Sequence, residues 1–207
     1  GLVQIYTSED NRAVIQQLIP EAIVSCYSSY DREQLTGLLK WADVVCIGCG
    51  LGRSEDSEKI LLHTLKEADI PCIADADGLN ILSGHMEVLR QRQAPVIVTP
   101  HMKEMSRVTG ESVAEIAENR IQAAGKFAEE YGAVCVLKDS RTVVAQDGHH
   151  TFLNLAGNNA MAKAGSGDVL AGVITGLAAQ GMTAFDSAAL GVFLHACGGD
   201  EARGEKG

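Results

Sequence analysis

Short apolar runs alternate along this chain with longer segments in which apolar residues recur every three or four positions. The short runs are typical of strands buried on both faces, and the longer segments are typical of helices with one buried side. The pattern predicts strands over residues 2–6, 43–47, 71–74, 95–98 and 133–137, and helices over residues 9–20, 57–68, 102–109 and 112–131. Strands separated by helices predict an α/β fold, with a mostly parallel central sheet that helices cover on both faces.

The last third of the chain has a different pattern. Apolar runs over residues 142–145 and 151–153 flank Asp147-Gly148, which is the signature of an antiparallel β-hairpin. Two helices are predicted after it, from Asp168 and from Ala184. Because no repeat, linker or low-complexity tract divides the chain, we predict a single domain over residues 1–207. Gly1 stands where Met would begin a natural chain, so we expect a fragment of a longer protein.

Composition narrows the classes of function. The chain has 207 residues, of which 46% are hydrophobic and 21% charged, and its formal net charge is −10. These values are ordinary for a globular protein, and no cluster of Lys and Arg offers a surface for nucleic acid or an anionic membrane. No signal-peptide pattern is present, and the longest charge-free run, residues 169–185, is short for a membrane span. We therefore expect a cytoplasmic protein that binds small molecules, with a buried helix after Asp168.

The six cysteines favour a reducing compartment and no metal site. Four of them, Cys46, Cys72, Cys135 and Cys197, lie inside apolar runs, as buried free thiols do. Cys46 and Cys49 form a C-x-x-C pair, but no second pair and no nearby histidine completes a zinc or redox motif. The sequence therefore predicts free thiols and no metal-ligating residue.

Glycine and polar clusters follow four of the predicted strands. They come after Ile47, Ala74, Val98 and Leu137. In parallel α/β sheets, ligands bind beyond the carboxyl ends of the strands, and these ends meet at one edge of the sheet. The sequence therefore predicts a single binding site at that edge.

Gly165-Ser166-Gly167-Asp168 opens an apolar segment at a predicted helix start. Unpaired N–H groups and the positive end of the helix dipole make such a start an anion site, and glycines let a phosphate approach the backbone. Asp168 either caps the helix or takes a proton from a substrate hydroxyl while adjacent amides stabilise phosphoryl charge. The chain has no G-x-x-x-x-G-K-[ST] phosphate loop, so this helix start is the candidate phosphate site.

Other polar residues at the same edge have two interpretations each. His101 caps the following helix or belongs to the site, and Lys138 is a solvated charge at a strand end or a nucleotide contact. Asp75 and Asp77 hold Mg²⁺ through water or simply form a turn. Asn80 lines the pocket or is structural.

The stretch MAKAGSGDVLAGVITGLAAQG resembles the signature of the NAD(P)H-hydrate dehydratases, which are ribokinase-like enzymes that depend on ADP or ATP. Five further stretches agree in order: ADVVCIGCGLGR, IADADGLN, VIVTPHMKEMSRVTG, VLKDSRTVVAQDG and LHACGGD. The resemblance spans essentially all 207 residues, and MAK-x-GSGD-VLAG is its most specific part. It implies a ribokinase-like fold that lacks the family's opening strand, glycine-rich loop and helix before Gly1. Some substrate contacts are expected from that opening segment.

The resemblance also implies roles for individual residues. Asp168 matches the catalytic aspartate beside the hydrated nicotinamide ring and is itself a substrate contact. Nucleotide contacts are implied for Lys138, Asp139, Ser140, Arg141, Thr142, Asn158, Gly165, Ser166 and Gly167. Contacts to the hydrated cofactor are implied for Gly50, Gly52, Asp75, Asn80, His101 and Glu104.

The implied reaction is dehydration of NAD(P)H hydrate to NADH or NADPH, with ADP or ATP as co-substrate and Mg²⁺ as cofactor. The nucleotide turns a poor leaving hydroxyl into a phosphate, which is then eliminated. The resemblance implies a homotetramer, and it leaves open ADP versus ATP, NADHX versus NADPHX, and a fused epimerase domain. Two alternatives remain: a ribokinase-like small-molecule kinase, such as a hydroxyethylthiazole kinase, and a nucleotide-binding module without turnover.

Several positions depart from the family's pattern. Cys49 stands where the family usually has Pro, and Met102-Lys103 stands where it usually has Pro-Gly. Asp139 and Arg141 replace small residues. We expect these changes to alter loop stiffness or nucleotide contacts and to leave the reaction itself unchanged.

Overall fold

Eight strands make up two sheets in residues 1–206, the part of the chain that the computed structural model describes. They are β1 (Gln4–Ser8), β2 (Ile23–Tyr27), β3 (Val45–Ile47), β4 (Cys72–Ala74), β5 (Val96–Val98), β6 (Val134–Leu137), β7 (Val143–Ala145) and β8 (Phe152–Leu153). Strands β3 to β8 form one sheet in chain order, parallel from β3 to β6 and antiparallel from β6 to β8. The predicted α/β fold, with a mostly parallel sheet and a hairpin, is therefore confirmed.

Ten α-helices connect and cover the strands in the same part of the chain. They are α1 (Arg12–Leu18), α2 (Arg32–Trp41), α3 (Glu55–Glu67), α4 (Asp77–Leu82), α5 (Glu87–Gln91), α6 (Met102–Thr109), α7 (Val113–Glu118), α8 (Arg120–Tyr131), α9 (Ser166–Ala178) and α10 (Ala184–Lys206). Successive strand residues point to opposite faces, so the sheet has two cores. Val96 and Val98 pack with residues of α2 to α8, whereas Ile73 and Ile97 pack with residues of α9 and α10. Helices on both faces leave the carboxyl ends of the strands free for a site.

The first two strands form a separate parallel sheet, which the sequence pattern does not predict. The pattern predicts β1 alone, and β1 pairs with β2 from Gln4↔Ile23 to Ser8↔Tyr27. It also does not predict α2, α4 and α5. No residue before Leu35 is fully buried, so the segment that contains β2 lacks the apolar pattern by which a buried strand is predicted.

The prediction of one helix over residues 112–131 is wrong about its continuity. The chain forms α7 and α8 instead, and Asn119 between them has φ −132° and ψ 45°, which is not helical. The capping box of Ser112 and Glu115 is present, and Gly132 ends α8 in the left-handed conformation, as predicted. Two helices therefore replace one because the backbone leaves the helical region at Asn119.

The helix predicted from Asp168 is not buried on all sides. Helix α9 begins at Ser166 and buries Leu170 and Ile174, but Val169 is 58% exposed and Asp168 is exposed too. One face of α9 packs on the sheet, and the opposite face and its start are open to solvent. Among residues 1–206, no helix combines the length and the apolar character needed to cross a membrane.

Candidate functional site

The segments that follow β3, β4, β5 and β6 meet at one edge of the sheet, as predicted. Lys138, directly after β6, donates its backbone N–H to Pro100 O at 2.8 Å and forms a parallel bridge with His101. Asp75, directly after β4, donates its backbone N–H to Ile47 O at 3.1 Å. Backbone hydrogen bonds therefore continue past the strand ends and hold their polar residues close together.

A buried ion pair joins two of these strand ends. Lys138 Nζ lies 2.7 Å from Asp75 Oδ1, and the two side chains are 19% and 2% exposed. The backbone N–H of Ala76 also donates to Oδ1, at 2.8 Å. Ala76 has φ 50°, a left-handed conformation that a non-glycine residue rarely adopts, so this turn is strained. Lys138 is therefore not a solvated charge, and its contact with a nucleotide stays a prediction.

The start of α9 is uncapped. Gly165 stands at the N-cap with φ 84°, a conformation that favours glycine. In the described part of the chain, no side chain accepts a hydrogen bond from the first turn. Within residues 1–206, the N–H groups of Gly167 and Asp168 have no acceptor. Two free donors at the positive end of a helix dipole suit an anion, and the phosphate contact predicted here stays a prediction.

The ion pair and the start of α9 face each other. A Cβ on Gly167 would lie 3.4 Å from Lys138 Nζ and 3.7 Å from Asp75 Oδ2. A carboxylate oxygen of Asp168, one of Asp75 and Sγ of Cys49 all lie within 4.8 Å of one another. Asp168 and Cys49 are exposed and Asp75 is buried, so the cluster lies in an open cleft with Asp75 as its floor. Sequence reasoning missed Cys49 as a member of this cluster.

The glycine loop after β3 packs tightly on the turn after β4. A Cβ on Gly48 would lie 1.9 Å from Asp75 O, and Gly48 has φ 120°, so only glycine fits at this position. Asp77 holds the far side of the loop, because its Oδ2 accepts a hydrogen bond from the backbone N–H of Gly52 at 3.1 Å. Gly50, between them, is exposed with φ 66°. The contacts predicted from Gly50 and Gly52 to a substrate stay predictions.

Asp77 and Asn80 are engaged in contacts within the protein. Asp77 Oδ1 accepts hydrogen bonds from Arg53 Nε at 3.2 Å and from Asn80 Nδ2 at 3.3 Å. Asn80 Oδ1 accepts a hydrogen bond from Arg107 Nη1. The turn-forming interpretation of Asp77 is therefore supported, and a substrate contact from Asn80 stays a prediction.

His101 caps α6, as one of its two interpretations predicts. Its Nδ1 accepts hydrogen bonds from the backbone N–H groups of Lys103 and Glu104 at 3.1 and 3.2 Å. Glu104 Oε2 accepts the backbone N–H of His101 at 2.8 Å, which completes a capping box. The imidazole is 50% exposed, and its Nε2 lies 3.5 Å from Glu104 Oε1. The substrate contacts predicted for His101 and Glu104 stay predictions.

The rest of the predicted nucleotide segment lies on the surface after β6. Asp139 forms an ion pair with Arg120 of α8, and Thr142 Oγ1 donates to Asp139 O at 3.2 Å. Ser140 and Arg141 between them are exposed. The segment is therefore accessible, and its nucleotide contacts stay predictions.

Asn158 anchors the segment before α9 to α10. Its Nδ2 donates to Gly199 O at 2.9 Å and to Asp200 Oδ1 at 2.8 Å, and Gly157 N–H donates to Asp200 Oδ2 at 2.8 Å. The hydrogen bonds from Asn158 and Gly157 lower the pKa of Asp200 below its ordinary value. These contacts engage the Asn158 amide within the protein, so its predicted contact with a nucleotide stays a prediction.

Helix α10 also reaches the start of α9. Ser166 Oγ lies 3.3 Å from His195 Nε2, and burial lowers the pKa of His195. Sequence reasoning did not predict this contact, because the two residues are far apart in the chain. The only signal was the block LHACGGD, which resembles a family motif.

Comparison with known proteins identifies a family that covers the whole chain. The Carb_kinase family, described as NAD(P)H-hydrate dehydratase, matches residues 1–207. The chain belongs to the NAD(P)H-hydrate dehydratase family. The family resemblance that the sequence motifs indicate is therefore confirmed.

Relatives of this dehydratase-family chain are longer than the chain itself. The bifunctional NAD(P)H-hydrate repair enzyme of Moorella thermoacetica is 38% identical over 207 residues, which are 100% of this chain and 38% of that protein. The crystallised ADP/ATP-dependent NAD(P)H-hydrate dehydratase of Bacillus subtilis is 31% identical, with a TM-score of 0.79 over 95% of this chain and 70% of that one. A ribokinase-like superfamily protein of Enterococcus faecalis is 28% identical, with a TM-score of 0.82 over 98% of this chain and 69% of that one. The predicted ribokinase-like fold is confirmed.

The dehydratase-family chain also has a groove of about 510 Å³ at the opposite edge of the sheet, beside the amino-terminal ends of β5 and β6. Arg92 lines it, but its guanidinium donates to the carbonyl oxygens of Leu65 at 2.6 Å and Ile70 at 2.5 Å. The Arg92 guanidinium is thus hydrogen-bonded to backbone carbonyl groups of the protein itself. None of the predicted site residues lines the groove. The candidate site therefore lies at the carboxyl ends of the strands.

Proposed function

We propose that this chain carries the catalytic site of a hydro-lyase that converts NAD(P)H hydrate to NADH or NADPH at the expense of ADP or ATP. One observation carries the proposal: the Asp168 carboxylate lies within 4.8 Å of Asp75, beside the uncapped start of α9. Family membership supports it, and so does the B. subtilis relative, which is named an ADP/ATP-dependent NAD(P)H-hydrate dehydratase.

The start of α9 supplies the anion site in this proposal. The N–H groups of Gly167 and Asp168 donate to oxygens of the terminal phosphate. Lys138, whose Nζ lies 3.4 Å from the position of a Gly167 Cβ, adds positive charge beside them, and Asp75 holds that ammonium in place. These groups stabilise the charge that develops on the phosphoryl group during its transfer.

Asp168 acts as the general base in the same proposal. Its carboxylate takes the proton of the hydrate's hydroxyl, whose oxygen attacks the terminal phosphorus of the nucleotide. The bond between that phosphorus and its bridging oxygen breaks, so AMP leaves from ADP, or ADP leaves from ATP. The C–O bond then breaks, its electron pair leaves with inorganic phosphate, and the neighbouring ring carbon loses a proton to restore the double bond. An exposed carboxylate next to buried charges suits this role, because the substrate can reach it from the open cleft.

The hydrated ring would lie between Asp168 and the start of α6. Nδ1 of His101 is engaged in the helix cap, so Nε2 is the atom that would contact the substrate. The loop of Gly50 and Gly52 borders the same cleft through Asp77.

The site also suits the Mg²⁺ that family resemblance implies. Mg²⁺ prefers oxygen ligands and is usually held by one or two carboxylates together with substrate phosphates and water. Asp168 and Asp75 supply carboxylate oxygens here, and Lys138 already takes Oδ1 of Asp75. The ion would therefore be held mainly by the nucleotide, where it neutralises phosphate charge.

We also infer a cytoplasmic homotetramer with small molecules as its only ligands. The net charge of −10 supports the absence of a nucleic-acid partner. Exposed apolar side chains on α10, Phe193 at 45% and Leu194 at 46%, offer a surface that a second copy can cover.

The test is recovery of NADH absorbance from NADHX with either nucleotide. Asp168→Asn removes the base and should lower the turnover rate by about 10²- to 10⁴-fold, while nucleotide affinity stays near that of the wild type. Asp186→Asn is the matched control, because Asp186 also lies in the first turn of a helix and its carboxylate, within residues 1–206, accepts a hydrogen bond only from Thr183. Equal turnover in Asp168→Asn and wild type would mean that Asp168 is not the base.

The same assay separates the dehydratase from a kinase and from a binding module. A dehydratase releases NADH and inorganic phosphate in equal amounts. A phosphorylated product that accumulates without NADH would identify a kinase, and nucleotide binding without either product would identify a module without turnover.

A further inference from the structure

The cluster of Cys49, Asp75 and Asp168 contains one group that the proposed reaction does not use. The Cys49 thiol has its Sγ within 4.8 Å of carboxylate oxygens of both aspartates. The three residues come from different segments: the loop after β3, the end of β4 and the first turn of α9.

Asp75 provides the fixed donor of the cluster. Its side chain is 2% exposed, and both of its side-chain hydrogen bonds, from Lys138 Nζ and Ala76 N, go to Oδ1. Within residues 1–206, Oδ2 accepts no hydrogen bond, and it faces the cleft at 3.7 Å from the position of a Gly167 Cβ. An almost fully buried carboxylate thus points an unpartnered oxygen at the cleft.

Charge and donor type favour a thiophilic divalent cation at this place. Two carboxylates and a thiolate carry three negative charges, and Lys138 supplies one positive charge, so a divalent ion balances the remainder. Mixed sulfur and oxygen donors suit Zn²⁺ and Cd²⁺, whereas Mg²⁺ prefers oxygen alone.

The distances allow such an ion after a small movement. Zn²⁺ binds sulfur at about 2.3 Å and carboxylate oxygen at about 2.0–2.2 Å, so tetrahedral ligand atoms lie roughly 3.5 Å apart. The present separations, all within 4.8 Å, are close to that value. Cys49 and Asp168 are exposed, so their side chains can rotate toward Asp75, which stays in place.

We propose that Cys49, Asp75 and Asp168 form a binding site for Zn²⁺ or a similar thiophilic divalent cation. The Cys49 thiol coordinates as a thiolate and releases its proton to solvent, and solvent completes the coordination sphere. Binding engages the Asp168 carboxylate, so the cation inhibits the enzyme reversibly. The inhibition rests on the proposed function, whereas binding does not.

The binding test is titration of the full chain with Cd²⁺ in excess Mg²⁺, read by the ultraviolet thiolate-to-cadmium charge-transfer band. We expect a single saturable site. Cys49→Ser should remove its band, and Asp168→Asn should weaken binding about 10-fold or more while leaving the thiol in place. Cys26→Ala is the matched control, because Cys26 is a free thiol in β2, away from the cluster, and it should bind as the wild type does.

Two results would overturn the site. One is a band that survives Cys49→Ser in a variant whose circular dichroism matches the wild type. The other is a band that disappears in Cys26→Ala, which would place the ion on a thiol outside the cluster.

A second readout separates this proposal from the proposed function. Zn²⁺ should inhibit NADH recovery by the wild type, a chelator should restore it, and Cys49→Ser should resist the inhibition. If Cd²⁺ binds through Cys49 but no NADH is recovered under any condition, the metal site stands and the proposed function fails. If NADH is recovered and Zn²⁺ inhibits wild type and Cys49→Ser equally, the inhibitory role of the site is wrong.

Discussion

Helices α6 and α9 begin at the same edge of the sheet, yet their first turns are satisfied in opposite ways. At α6, the His101 side chain accepts two backbone N–H groups, and Glu104 accepts the N–H of His101. At α9, Gly165 has no side chain to offer, and the N–H groups of Gly167 and Asp168 find no acceptor within residues 1–206. Within residues 1–206, the cap of α6 leaves only the N–H of Met102 without an acceptor, whereas α9 leaves two N–H groups free, so α9 is the better candidate for the anion site.

Lys138 connects the two helix starts. Its backbone N–H donates to Pro100 O, next to the α6 cap, and its ammonium lies between Asp75 and Gly167 at the start of α9. Lys138 therefore contacts the segments at both helix starts, that of α6 and that of α9.

Lys138→Met should give the largest change in stability. It leaves the Asp75 carboxylate buried without its partner, which costs about 3–5 kcal/mol in the free energy of unfolding. Urea unfolding monitored by circular dichroism measures this loss. The double variant Asp75→Asn/Lys138→Met should recover part of it, and a double variant as unstable as the single one would contradict the explanation.

Gly167→Ala should fill the open start of α9 without unfolding it. The new methyl lies 3.4 Å from Lys138 Nζ, where phosphate oxygens are proposed to bind, so nucleotide affinity should fall about 10-fold, or about 1.4 kcal/mol. Gly176→Ala is the control, because a Cβ at this position of the same helix meets no atom within 4 Å. Calorimetric titration with ADP and ATP measures both variants, and equal affinities would place the phosphate elsewhere.

His101→Ala should open the start of α6 and make it resemble that of α9. Loss of the cap should lower the free energy of unfolding by about 1 kcal/mol, and His101→Asn should restore most of it, since Asn is a strong N-cap residue. Thermal unfolding checks the stability. If NADH recovery falls in both variants while only His101→Ala is less stable, the imidazole also contacts the substrate.

The pH dependence of stability should give the smallest effect. Burial lowers the pKa of His195, beside Ser166 at the start of α9, and burial also lowers the pKa of His63. Because the unfolded chain then binds protons more readily than the folded one, stability should be full above about pH 6.5 and fall as the pH drops below it. Urea unfolding from pH 7.5 to 5.5 measures the slope. His195→Gln should reduce it in part, and an unchanged slope would mean that His195 does not contribute.

Local signals in the sequence predicted much of the fold. The apolar alternation places β3, β4, β5 and β6 within two residues of their observed ends, and α6 agrees at both ends. Local signals failed where burial is slight or an element is short. Strand β2 contains no fully buried residue, and α4 and α5 are only six and five residues long.

The sequence predicted individual residues of the candidate site, but it did not predict which of them contact one another. Gly165 and Asp168 could be read from the sequence, because an uncapped helix start is a local property of the residues that form it. The Asp75–Lys138 pair joins residues 63 positions apart, and no local pattern indicates it. Cys49 was set aside for lack of ligands near it in sequence, yet its neighbours come from other segments.

The amino-acid sequence by itself determined the alternation of strands and helices, the hairpin, and a helix that begins with two glycines and an aspartate. Only the tertiary structure decided that this aspartate faces Asp75 and Cys49, and that Lys138 lies against the same turn. The physical reason is that helix starts and turns depend on neighbouring residues, whereas the order of strands in a sheet brings distant residues together. In this chain the chemistry lies where those distant strand ends meet.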